Sequence, residues 1–97
     1  MRLLVWAEDA RNEFREAIMF IAKDNPTAAR QVRDRINDAA LLLQQRPIGR
    51  QGRVTGTYEK SVSNAPYIVA YALSDEAVTI LRVIHTSRDW QDEEWPD

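Results

Sequence analysis

Cysteine is absent from this sequence of 97 residues, and histidine occurs only once, as His85. The lack of cysteine excludes disulfide bonds and zinc–thiolate sites, and a single histidine excludes a multi-histidine metal centre. No apolar run approaches the roughly 18–20 residues that are needed to cross a bilayer. We therefore expect a cytoplasmic protein that uses neither a metal nor a cofactor.

A strong excess of positive charge is also missing, because the formal net charge is −2. The charge is unevenly spread: residues 46–88 hold six basic and three acidic residues, and residues 89–97 add five acids. The six basic residues are Arg46, Arg50, Arg53, Lys60, Arg82 and Arg88. A protein whose main task is to grip a polyphosphate is usually basic overall, so the composition argues against that role for the whole surface.

Two amphipathic helices are predicted in the first half of the chain. Apolar residues recur at helical spacing within residues 10–21 and again within residues 29–43. Between them, Asn25 is a good N-cap and Pro26 suits the first position of a helix. The second helix should end near Gln45, because the residue that follows it precedes a proline. The sequence thus predicts an αα-hairpin.

Four strands are predicted around this hairpin, three of them in the second half of the chain. The element order β-α-α-β-β-β indicates an α+β fold: an N-terminal strand, the αα-hairpin and a three-stranded antiparallel meander in one small sheet. We expect one domain over residues 1–97, with residues 91–97 as a flexible acidic tail. The N-terminal strand is apolar on both faces and is expected inside the sheet. The predicted strands are Arg2–Trp6, Tyr58–Ser63, Tyr67–Leu73 and Val78–Ile84.

Several ordered motifs in this chain resemble those of the RelE/ParE toxins of type II toxin–antitoxin modules. The resemblance runs from about Trp6 to Trp90 and implies a small cytoplasmic toxin that inhibits growth or stabilises plasmids. It also implies a cognate antitoxin, whose disordered segment wraps around the toxin. The motifs are Asp24-Asn25-Pro26-x-Ala28-Ala29, Gly49-Arg50-x-Gly52-Arg53-Val54-x-Gly56-Thr57-x-Glu59, Pro66-Tyr67-Ile68-Val69-x-Tyr71 and Ile80-Leu81-Arg82-Val83-Ile84-His85.

The family divides by target, and the sequence is compatible with both branches. RelE-like members cleave mRNA in the ribosomal A site, whereas ParE-like members inhibit DNA gyrase and are not nucleases. This chain has Tyr58 where many relatives carry arginine. The acidic net charge and the few proton-transfer groups favour the ParE-like branch over the endoribonuclease. A non-toxic interaction domain on the same fold is a third interpretation.

Four residues would carry the chemistry if the nuclease alternative holds. His85 would protonate the leaving 5′-oxygen, Glu59 would act on the 2′-hydroxyl, and Arg53 and Arg82 would stabilise the charged phosphorane. The structural alternatives are that His85 hydrogen-bonds the chain as it leaves the sheet and that Glu59 is a solvated strand residue. The sequence leaves both alternatives open.

A second set of residues is predicted to bind the target or the antitoxin. Within it, Arg50, Arg53 and Arg82 would form a basic patch around phosphates or an acidic partner peptide. Tyr67 and Tyr71 share one face of a strand and are expected in the core. The helical hairpin would offer a groove to an amphipathic antitoxin helix. The predicted binding residues are Arg50, Arg53, Tyr58, Lys60, Arg82, Arg88 and Trp90.

Overall fold

The computed structural model describes residues 2–47, 49–52 and 54–86, which form two helices packed on a five-stranded sheet. The predicted α+β class and its β-α-α-β-β-β order are confirmed, with one short strand added after the second helix. The elements are β1 (Leu3–Trp6), α1 (Glu8–Asp24), α2 (Pro26–Gln45), β2 (Arg50–Gln51), β3 (Tyr58–Ser61), β4 (Tyr67–Leu73) and β5 (Ala77–His85).

The sheet is mixed, with the strand order β1-β5-β4-β3-β2. β2 to β5 form an antiparallel meander, and β1 lies parallel to β5, with Leu3 opposite Ala77. The expected interior position of the first strand is wrong, because β1 forms an edge of the sheet. Leu4 packs towards the core, whereas Leu3 and Val5 point the other way and are 66% and 43% exposed. A strand with apolar residues on both faces can therefore lie at an edge of the sheet, with one of its faces exposed to solvent.

The helical hairpin forms as its local signals predict. The backbone N–H of Ala28 donates to the side-chain oxygen of Asn25 at 3.0 Å, so Asn25 caps α2, and Pro26 occupies its first position. α2 ends at Gln45, as expected from the following residue and proline. Neither helix in the described part of the chain is long and apolar enough to cross a membrane.

The core lies between the hairpin and the centre of the sheet. Tyr67 and Tyr71 are buried there, which confirms their predicted core position. β4 and β5 change register at Ala70/Tyr71: Ala70 faces Arg82 and Tyr71 faces Ile80, which leaves Leu81 as the extra residue of a β-bulge. The other buried residues of this core are Ala10, Ile36, Ala39, Ala40, Leu43, Val62, Val69, Val78, Ile80 and Val83.

Candidate functional site

Arg82 makes a nearly buried ion pair with Glu13 of α1. Its Nε lies 2.9 Å from each carboxylate oxygen, and its Nη2 lies 2.6 Å from Oε2. The Glu13 carboxylate also accepts a hydrogen bond from the backbone N–H of Val83 at 3.1 Å. β1 pairs with β5 only as far as Trp6, opposite Ile80, so Glu13 covers the strand edge beyond that point. This ion pair therefore holds α1 against the edge of β5, and we call it the clamp between α1 and β5.

His85 lies on the side of the sheet that faces the helices. Its ring meets Tyr67 edge to face, with centroids 5.2 Å apart and planes at 81°. Burial raises the pKa of Tyr67. A groove of about 370 Å³ opens here between α1 and β5, and we call it the His85 groove. It is lined by Glu13, Glu16, Ala17, Phe20, Tyr67, Val83 and His85.

Glu59 lies on the opposite side of the sheet and is only 3% exposed. The interpretation of Glu59 as a solvated strand residue is therefore wrong. Its neighbour Tyr58 stacks on Tyr71 in the core, with centroids 5.5 Å apart, so the alternation of β3 directs Glu59 to the outer face. The Glu59 carboxylate lies 3.4 Å from a guanidinium nitrogen of Arg50, whose side chain is 62% exposed. A buried carboxylate is stabilised by such a partner.

A small apolar cluster shares this outer face with Glu59. Ala70 and Ile84 are buried there, and Val54 and Leu81 pack against them. Ala70 lies directly opposite Glu59 in the β3–β4 ladder. Val54, from the chain between β2 and β3, therefore packs over the same face of the sheet on which Glu59 is buried.

The predicted basic patch is only partly visible in the described residues. Arg50, Glu59, Ala70 and Arg82 form one row across β2, β3, β4 and β5. Three strand spacings separate the backbones of Arg50 and Arg82, which is about 14 Å. Arg50 is at the surface, but Arg82 is 8% exposed and paired with Glu13. Arg53, Arg88 and Trp90 lie outside the described residues, and so does the predicted tail, residues 91–97.

The two remaining predicted binding residues are half-buried. Tyr58 is held by its stack on Tyr71. Lys60 lies beside α2, at a small groove of about 150 Å³ that it shares with Arg35 and Leu42. Their roles in binding remain predictions.

Gly49 packs against the hydroxyl end of the Tyr71 ring. A side-chain carbon at this position would also come within 2.7 Å of the Glu59 carbonyl oxygen, so the chain passes here at a distance that only glycine permits. The Tyr71 hydroxyl is buried and has no hydrogen-bond partner of good geometry among the described residues. Burial raises the pKa of Tyr71 and the Tyr58 phenol raises it further, while the Gly49 backbone lowers it.

A groove lies between the two helices, where the sequence predicts a groove but not the residues that line it. It has a volume of about 320 Å³, and we call it the hairpin groove. Met19, whose side chain is 60% exposed, lines this groove. A large apolar residue such as Met19 at an exposed helix position is the sequence signal that could locate this groove. The groove is lined by Arg11, Phe14, Arg15, Ile18, Met19, Arg33 and Asn37.

Comparison with known proteins places these features in a family. Residues 4–90 match the family described as the ParE toxin of the type II toxin–antitoxin system parDE. The protein Y4kP of Sinorhizobium fredii, which is named as a toxin, is 37% identical over 86 residues, 88% of each chain. Toxin RelE2 of Caulobacter vibrioides is 30% identical over 89 residues, 91% of this chain and 99% of that protein.

Solved structures with lower identity share the fold. The chromosomal ParDE system of P. aeruginosa matches with a TM-score of 0.82 and 20% identity, over 90% of this chain and 98% of that one. The E. coli RelBE toxin–antitoxin complex matches with a TM-score of 0.65 and 17% identity, over 91% and 100%. The chain therefore belongs to the ParE toxin family of type II toxin–antitoxin systems, within the RelE/ParE superfamily.

Proposed function

We propose that this toxin is ParE-like: it inhibits DNA gyrase in the cytoplasm by binding to it, and a cognate antitoxin neutralises it. The match to the ParE family and the structural similarity to a ParDE system support this proposal. The observation that carries it is the separation of the groups that a nuclease would need.

A metal-free nuclease requires its acid, base and cations around one phosphate, each within hydrogen-bonding reach. Here His85 faces the helices and Glu59 faces the outer side of the sheet. Their strands, β5 and β3, are separated by β4, so the backbones alone are about 10 Å apart. Arg82 is already paired with Glu13. This arrangement supports a binding protein rather than a catalyst.

A RelE-like ribosome-dependent endoribonuclease is the second candidate function. The 30% identity to a protein named Toxin RelE2 favours it. To act in this way, the chain would have to release Arg82 from Glu13 and expose Glu59. Arg82 would then lose its contact with Glu13, and Glu59 would lose its contact with Arg50. That cost is the physical argument against it.

Two purified reactions distinguish the candidates. We expect the full chain to inhibit DNA supercoiling by gyrase and to leave mRNA on programmed ribosomes intact. The variant His85→Gln should fold and retain most of the inhibition, because the imidazole takes no part in chemistry. The nuclease would be established instead if the wild type cuts mRNA at defined codon positions and His85→Gln lowers the cleavage rate by about 10²–10⁴-fold.

The antitoxin is proposed to place an amphipathic helix in the hairpin groove. The apolar floor suits the apolar face of such a helix, and Arg11, Arg15 and Arg33 at the rim suit acidic residues beside it. We expect Arg11→Glu/Arg15→Glu to slow association and reduce its salt dependence. Arg30→Glu is the matched control, since Arg30 is exposed on α2 but does not line the groove. Equal association rates for both variants, measured by stopped flow, would contradict this placement.

A further inference from the structure

Two grooves of opposite charge flank the same helix, α1. Three arginines line the hairpin groove, whereas Glu13 and Glu16 line the His85 groove. Met19 belongs to the first groove and its neighbour Phe20 to the second. Because both side chains are largely exposed, they form an apolar ridge that divides the grooves. A partner that fills one groove and continues over this ridge reaches the other.

The His85 groove has the chemistry of a receptor for a cationic side chain. Glu13 is already engaged by Arg82 and Val83, but Glu16 is exposed and makes no ion pair within the described part of the chain. Phe20 supplies an exposed aromatic ring, and a ring with a nearby carboxylate attracts guanidinium or ammonium groups. A volume of about 370 Å³ is at the small end of ligand sites and suits one or two side chains.

We propose that the His85 groove binds an arginine or lysine of the antitoxin, in the segment next to the helix that fills the hairpin groove. This inference rests on the proposed antitoxin docking and adds a second anchor of opposite charge. A helix is about 10–12 Å across, and an extended chain covers about 3.3–3.6 Å per residue. About three to four residues of antitoxin therefore separate the acidic helix from the basic anchor. The antitoxin thus carries an acidic amphipathic helix flanked closely by a basic residue.

The test measures the Kd between the 97-residue toxin chain and its cognate antitoxin, by titration calorimetry. We expect Glu16→Gln and Phe20→Ala each to weaken binding about 5- to 30-fold, the range of a partly desolvated cation–aromatic and ion contact. Glu8→Gln is the matched control, because Glu8 is an exposed glutamate of α1 outside both grooves, and its Kd should change less than about twofold. Thermal unfolding of each variant confirms that it is folded.

A charge exchange then identifies the anchor. Changing the flanking basic residue of the antitoxin to glutamate should weaken binding to the wild-type toxin, and Glu16→Lys should restore it. Unchanged Kd values for Glu16→Gln and Phe20→Ala, together with weaker binding by Arg11→Glu/Arg15→Glu, would overturn this inference and leave the hairpin docking intact. If the wild-type toxin self-associates in sedimentation experiments and Phe20→Ala does not, the groove binds a second copy, which would overturn the inference as well. Absence of any antitoxin binding by the wild type would overturn both proposals.

Discussion

Replacing Glu13 tests how strongly the clamp between α1 and β5 stabilises the fold. The Arg82 and Glu13 side chains are 10% and 20% exposed, so Glu13→Gln removes the carboxylate charge that pairs with the Arg82 guanidinium in a nearly buried position. Breaking such a pair typically costs about 3–5 kcal/mol. Glutamine keeps an oxygen that can still accept from Val83, so we take the lower end, about 3 kcal/mol. For a domain of this size, that lowers the melting temperature by about 12–24 °C.

The assay is urea and thermal unfolding followed by circular dichroism, with Glu16→Gln as control. Glu16 is an exposed glutamate of the same helix, and its replacement should change the free energy of unfolding by less than about 0.5 kcal/mol. The double variant Glu13→Leu/Arg82→Met removes both charges and should recover to within about 1 kcal/mol of the wild type. A cost below about 1 kcal/mol for Glu13→Gln, or additive losses in the double variant, would refute the reasoning.

Further predictions concern the cap, the glycine contact and the buried tyrosines, and all are measured by chemical unfolding. Asn25→Ala should cost about 1 kcal/mol because Ala28 loses its capping acceptor, and Asn25→Ser should cost less. Gly49→Ala should cost about 1–3 kcal/mol, since the new carbon approaches the Glu59 carbonyl oxygen to 2.7 Å, whereas an unchanged midpoint would show that the backbone shifts freely. Tyr71→Phe should change the free energy of unfolding by less than about 1 kcal/mol, because the Tyr71 hydroxyl makes no hydrogen bond of good geometry to the residues that the structure describes. Burial holds the folded-state pKa of Tyr67 and Tyr71 above the ordinary tyrosine pKa of 10.0. The stability that these side chains provide is therefore complete below pH 10 and is lost as the pH rises through the raised pKa, which an unfolding series around pH 9–11 would follow.

The architecture follows from local patterns that the sequence shows directly. Helical spacing of apolar residues, a capping Asn25 followed by Pro26, and the restriction on Arg46 before proline fix both helices and their link. Long apolar runs of β-branched and aromatic residues fix β4 and β5 as the centre of the sheet. These signals act over a few residues, so no knowledge of the tertiary structure is needed to interpret them.

The errors concern features that depend on contacts between distant segments. The pattern of residues 2–6 predicts a strand, but not whether it lies at an edge, because that depends on which strand it meets. Glu59 is buried on the face where Val54, which follows β2 in the chain, packs against Ala70 and Ile84. The sequence of a short polar strand such as β3 does not indicate whether another segment covers it. The sequence alone therefore predicts that Glu59 is solvated.

Arg82 shows why a candidate site is harder to predict than a fold. Its partner Glu13 lies 69 residues earlier in the chain, on the polar side of an amphipathic helix. A glutamate at such a position is normally interpreted as a solvent-exposed residue. Once α1 packs beside β5, that glutamate pairs with Arg82 and also accepts a hydrogen bond from the Val83 amide. Arg82 could stabilise a phosphate in a nuclease only if it were released from its ion pair with Glu13. Under the proposed function, the pairing of Glu13 with Arg82 is therefore as informative as His85 about whether this chain binds its target or cleaves it.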